Sequence, residues 1–99
     1  MRQRTVVFAP EAEDDLLKLY DWLTGKAGAA VAIGYIDRIE LFCSKLDLAS
    51  IRGTARDDVR AGLRIIGFER RIAIAFVVGD DDVLILRIFH GGCDWESHF

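Results

Sequence analysis

The 99 residues of the chain carry 52% hydrophobic and 29% charged side chains, with a formal net charge of −3. That length suits one modest core rather than two, the composition excludes a disordered chain, and the acidic balance excludes nucleic-acid binding by bulk charge alone. Charged residues interrupt every apolar run, so no transmembrane segment is expected. Met1-Arg2-Gln3-Arg4 precedes only the short run TVVFA before Pro10-Glu11, too little for a signal peptide. The expectation is a cytoplasmic protein with a single domain over residues 1–99, in which Cys43 and Cys93 are reduced thiols. His90 and His98 stand at no metal-ligand spacing, so neither a metal nor another cofactor is expected.

Residues 5–9, β-branched and aromatic, predict a first strand. Pro10 suits a first helical position, and Glu11, Glu13, Asp14 and Asp15 suit the positive end of a helix dipole. A helix is predicted over residues 10–24, with Ala12, Leu16, Leu19, Tyr20 and Leu23 on one stripe and with Leu17 and Trp22 off it. Gly25-Lys26-Ala27-Gly28 predicts a turn. A second helix follows over residues 30–49, with Ile36, Ile39, Phe42, Cys43 and Leu46 on one face. Two such helices form a hairpin that covers one face of a sheet, which makes Cys43 a small core hydrophobe rather than a nucleophile.

Residues 50–61 read as a linker. Arg52, Arg56, Arg60 and Arg64 recur every four residues, but Gly53 and Gly62 argue for a loop with at most one helical turn. Three strands follow, Leu63–Phe68, Ile72–Val78 and residues 83–89. Glu69-Arg70-Arg71 and Gly79-Asp80-Asp81-Asp82 link them, the latter with a glycine for an unusual φ. Short links force an antiparallel meander. Both faces of its middle and last strands are apolar, so a second cover is needed on the side away from the helices. Simple alternation places Arg87 on one face with Val83 and Ile85, and His90 on the other. The tail from Gly91 reads as a mobile end unless Trp95 and Phe99 dock on the open face. The expected fold is α+β, in the order β-α-α-β-β-β, with an antiparallel four-stranded sheet and the helical hairpin packed on one face.

This order of elements, with the residues it carries, resembles the ParE branch of the RelE/ParE toxin superfamily of bacterial type II toxin–antitoxin modules. The resemblance rests on the strand leading into Ala9-Pro10-Glu11-Ala12-Glu13-Asp14-Asp15-Leu16, and on Gly53 through Arg56 and Asp58. It continues with Gly62-Leu63-Arg64 opening a strand, and with the closing run Ile85-Leu86-Arg87-Ile88-Phe89-His90. It covers roughly residues 4–94. The chain departs from the family where Phe76-Val77 stands in place of a late tyrosine-arginine pair, and where Gly91-Gly92-Cys93 follows the histidine without a basic residue. These departures bear on the target more than on the fold.

The resemblance implies a growth-inhibiting toxin of a plasmid-stabilisation type. It would act on DNA gyrase without a catalytic centre of its own, and a ParD-like antitoxin would neutralise it in a hetero-oligomer. DNA would be contacted only through the antitoxin, and no membrane is involved. An antitoxin segment that orders on binding would place carboxylates on arginines, for which Arg56, Arg60, Arg64 and Arg71 are the candidates. The bland alternative for each is a surface ion pair with Asp57 or Asp58. Arg87, His90 and Trp95 are the candidates for target contact, Arg87 because a partly buried guanidinium needs a partner. Other members of the superfamily are ribosome-dependent mRNA endonucleases, which need acid–base groups and cations around a phosphodiester. Here Arg64, Arg71, Arg87, His90 and His98 remain for that role, no lysine follows Lys45, and no tyrosine follows Tyr35. Cleavage therefore stands as the alternative activity, beside a non-toxic binding module of the same fold.

Overall fold

The computed structural model describes residues 5–47, 53–91 and 99. Strand β1, Thr5–Phe8, leads directly into helix α1, Pro10–Ala27. Proline at the helix start gives up only an N–H that would have no helical partner, and Glu11 and Glu13 meet the positive dipole end. The helix runs three residues beyond its predicted end. Gly25 stays helical, at about 1 kcal/mol relative to alanine. The break comes only at Gly28, whose φ of 92° is left-handed. Its N–H donates to the Thr24 carbonyl at 3.0 Å, and its own carbonyl accepts the Ala32 N–H at 3.1 Å. One residue thus joins α1 to helix α2, Ala29–Ser44. Helix α2 ends earlier than predicted, tightening into a 3₁₀ turn at Lys45–Asp47. The Ser44 hydroxyl donates to the Leu41 carbonyl at 2.6 Å there, the local bonding that weakens helix ends.

The remaining strands are β2, Thr54–Ala55; β3, Leu63–Phe68; β4, Ile72–Val78; and β5, Asp82–His90. The α+β class and the meander are as expected, but the sheet has five strands in the order β1-β5-β4-β3-β2 and is mixed. Strand β1 runs parallel to β5, with Thr5 opposite Asp82 and Phe8 opposite Ile85. Strands β3 and β5 flank the antiparallel β4, so both point the same way as β1, and β2 points the opposite way. Thr54 and Ala55, read as linker, form the added strand against Ile65 and Arg64. Two residues are too few to show any periodicity.

A β-bulge at Leu86 interrupts the β4–β5 register between the pairs Ala75–Arg87 and Phe76–Ile85. Below it, Val83 and Ile85 face the helices. Above it Ile88 does so, while Leu86 and Phe89 pack with Ala75 on the opposite face. The bulge overturns the simple alternation that grouped Arg87 with Val83 and Ile85. The turns differ from expectation too. The left-handed conformation falls on Glu69 and Arg70, with φ of 50° and 65°, at roughly 1–2 kcal/mol for each non-glycine residue. Gly79 supplies space instead, since a Cβ there would lie 2.6 Å from Asp82 Oδ1.

The main core joins Ala12, Leu16, Leu19 and Leu23 of α1 to Ala32, Ile39 and Cys43 of α2. These pack on Ile72, Ile74, Phe76, Val83, Ile85 and Ile88 of the sheet. Full burial of each large side chain contributes roughly 1.5–3 kcal/mol. Cys43 lies in this layer with no exposure, as expected. Burial pushes its thiol up to about 12, with the Glu40 charge adding in the same direction. On the other face Leu63, Ala75 and Phe89 form a smaller cluster with Val59 and Phe99. The Phe99 ring meets Phe89 edge-on at 6.2 Å, so the chain end docks on this face. Trp95 lies outside the described residues. Among those described, no helix is long and apolar enough to cross a membrane.

Candidate functional site

The one-residue link holds α1 and α2 side by side, and the exposed Leu17 and Ile33 meet the margins of the two core stripes on the outside. Leu16, Leu17, Tyr20, Ile33 and Ile36 line an open groove of ≈610 Å³, whose charged lining residues are Glu13 and Glu40. Leu17 is 64% exposed and Ile33 49%. Val31 and Leu41 extend the exposed apolar surface along α2. Sequence reasoning noted Leu17 and passed over Ile33. The available signal was that each helix carries a second apolar line beside its buried one.

The arginines proposed for a partner's carboxylates do not form one cluster. Arg56 precedes the turn into β3 and Arg64 lies within that strand, joined through the Arg56 N–H to the Leu63 carbonyl at 2.8 Å. Arg71 follows the far end of the same strand, roughly 20 Å away at the rise of an extended chain. Arg56 makes two 2.9 Å hydrogen bonds to Asp58, which hold that exposed carboxyl below the usual range. Arg64 donates to the Gly53 carbonyl at 3.2 Å. Arg60 is exposed between them, and Asp57 accepts the Gly62 N–H at 2.9 Å, closing the turn. Arg52 lies outside the described residues.

Arg87 has the partner that its position demanded. Strand β1 ends at Phe8, and the Ala9 N–H still reaches the Ile85 carbonyl at 2.8 Å. Beyond this point the outer edge of β5 would be unpaired. Asp15 of α1 takes over, accepting the Ile88 N–H at 2.9 Å and two bonds from the Arg87 guanidinium, at 2.7 and 2.9 Å. The Asp15 side chain is 10% exposed and that of Arg87 27%. The guanidinium carbon also sits 5.0 Å from the centre of the Phe89 ring. Sequence reasoning had assigned Asp15 to the helix dipole alone.

His90 closes β5 on the helix side, opposite Ile72 and 5.3 Å from the Trp22 ring. With Leu19, Leu23, Tyr35, Arg71, Ile72 and Gly91 these two line a recess of ≈70 Å³. The Lys26 ammonium lies 5.8 Å from the Trp22 ring centre. Nearby, Arg38 donates twice to Glu69, at 3.0 and 3.2 Å, and stacks 5.0 Å over Tyr35. Burial pushes the Tyr35 hydroxyl up, the Glu69 charge adds to this, and Arg38 and Arg71 oppose it. Arg87 and His90 thus emerge on opposite faces of β5, and Arg87 is engaged by Asp15. Among the described residues they form no pair that could act together on one phosphodiester.

A family profile described as the ParE toxin of the type II toxin–antitoxin system parDE matches residues 6–95. The fold is similar to a solved chain of the chromosomal ParDE toxin–antitoxin system of P. aeruginosa, with a TM-score of 0.78 and 24% identity. That match covers 89% of this chain and 96% of the other. It is also similar to a chain of the toxin–antitoxin complex RelBE2 of Mycobacterium tuberculosis, with a TM-score of 0.66 and 21% identity, covering 94% and 97%. No curated protein matches the sequence. The profile spans nearly the whole chain, from within β1 past the end of β5, and on that ground the chain belongs to the ParE toxin family of type II toxin–antitoxin systems.

Proposed function

We propose that this chain inhibits growth by acting on DNA gyrase and that an antitoxin neutralises it by laying an amphipathic helix in the α1–α2 groove. The observation that carries the partner is the groove itself, of ≈610 Å³, with Leu17 and Ile33 exposed along it. A single helix presenting apolar residues at three- and four-residue spacing fills such a trough, and basic flanking residues would meet Glu13 and Glu40. The antitoxin chain then continues toward Arg56, Arg60 and Arg64, where its carboxylates compete with Asp58. Family membership and the ParDE likeness support gyrase as the target, and the engagement of Arg87 by Asp15 favours an inhibitor over a nuclease. The toxin works in the cytoplasm.

The test is induced expression in a bacterial host, with and without the neighbouring open reading frame, followed by a supercoiling assay on purified gyrase. The expected outcome is growth arrest without the partner, blocked supercoiling and intact mRNA. Arrest with mRNA cut at ribosomal positions would replace gyrase by translation as the target. Normal growth without the partner would leave a binding module of the same fold.

A further inference from the structure

The recess beneath Trp22 and His90 shares no lining residue with the α1–α2 groove. Arg71 lines it, and among the described residues its guanidinium has no hydrogen-bonded or ion-paired partner. The reason lies in the turn. Glu69, the nearest carboxylate along the chain, is committed to Arg38 through two hydrogen bonds. The left-handed pair Glu69–Arg70 fixes that choice in the backbone. Arg71 is anchored beside the end of β5 by its own carbonyl, which accepts the Gly91 N–H at 3.1 Å. Asp21, beside Trp22 in sequence, is one helical step around α1 and so points away from that residue's face. The recess therefore gathers the Arg71 guanidinium, without a hydrogen-bonded or ion-paired partner among the described residues, the His90 imidazole and the Tyr35 ring, with the Lys26 ammonium 5.8 Å from the Trp22 ring.

Size narrows the ligand. The recess is small, ≈70 Å³, and suits a compact group such as a tetrahedral oxyanion. Outside it lies Trp22, 47% exposed, with His90 5.3 Å from its ring and the Lys26 ammonium 5.8 Å over it, so a planar group would take the place of the Lys26 side chain on the indole. The Arg71 guanidinium in the recess and the Lys26 ammonium beside Trp22 favour an anion, and guanidinium geometry matches phosphate oxygens in pairs.

We propose that this recess is a phosphate-binding site, with Arg71 and His90 holding the phosphate of a nucleotide-type ligand whose base lies on Trp22. The phosphate accepts from the Arg71 guanidinium and from an imidazole N–H, Lys26 screens its remaining charge, and the base stacks on the indole. The site is on the helix side of the sheet end, and Arg87 takes no part in it.

The test follows the Trp22 indole and His90 ring signals of the full chain by NMR. The probes are inorganic phosphate, AMP, adenosine and acetate, each at constant ionic strength. Phosphate and AMP are expected to shift both signals, AMP binding at least about fivefold tighter because of stacking. R71A is expected to weaken both roughly tenfold, through loss of a charge-assisted bidentate contact. W22A, compared through the His90 signal, should remove only the advantage of AMP over phosphate. Absence of any shift with phosphate, or shifts unchanged in R71A, would overturn the site. Acetate binding as tightly as phosphate would overturn it in favour of a carboxylate-bearing peptide. Equal binding of AMP and phosphate would overturn the nucleotide assignment.

Discussion

Asp15 does the work of an absent strand: one carboxylate satisfies the Ile88 N–H at the open edge of β5 and the Arg87 guanidinium above it. Removing one partner of such a pair leaves the other's charge largely shielded from water. D15N is therefore expected to destabilise the fold by about 2–3 kcal/mol, read as a lower urea midpoint with an unchanged slope. R87Q should cost less, because the carboxylate keeps its backbone donor. Cys43 gives a second prediction. Its thiol is pushed up to about 12 from an ordinary 9.0, so the fold holds the neutral form and the unfolded chain ionises first. That stabilisation is complete below pH 9 and is lost as pH rises toward 12. Urea midpoints should fall over that range in the wild type and less in C43A. A thiol reagent at pH 8 should leave Cys43 unmodified until the protein unfolds. Burial of Cys43 was legible from the spacing of Ile36, Ile39, Cys43 and Leu46. The Asp15–Arg87 pair was not, because nothing local links residues 72 positions apart.

Helix α1 shows where patterning succeeds and where punctuation misleads. Its buried residues Ala12, Leu16, Leu19 and Leu23 are those that helical periodicity selects. Its end was misplaced because two glycines, Gly25 and Gly28, look alike in sequence and differ in conformation. G25A adds a Cβ in the helix with nothing within 4 Å, and is expected to raise stability by about 0.5–1 kcal/mol. G28A forces a Cβ onto a φ of 92° and should lower stability by more than about 1 kcal/mol. Thermal melts of the two variants should move in opposite directions. In the meander the strands themselves were legible from their β-branched runs. The bulge at Leu86 was not, because one extra residue leaves an apolar run looking continuous while it exchanges the faces beyond it.

The two faces of the molecule divide its tasks. One carries the helical hairpin and the open groove proposed to take a partner's helix; the other is a small apolar cluster that Val59 and Phe99 partly cover. L17D and I33D place charge on exposed groove positions and are expected to leave the melting temperature nearly unchanged. Together they should weaken antitoxin capture at least a hundredfold, measured by calorimetry on the purified chains. The groove was half legible: amphipathic patterning finds the buried stripe, but whether a second apolar line stays exposed depends on how closely the helices are joined. The parallel pairing of β1 with β5 has a further consequence, for the newborn chain. Thr5 meets Asp82, so the first strand has no neighbour until 77 more residues have been made, about 4–15 s at ordinary elongation rates. Until then the apolar stripes of both helices can reach Ile72, Ile74 and Phe76 of β4 but not Val83, Ile85 and Ile88 of β5. The core that seats the helical hairpin on the sheet is complete only when β5 is made. A member of this toxin family thus spends an interval made but unfinished, in which an antitoxin made alongside it can be ready first.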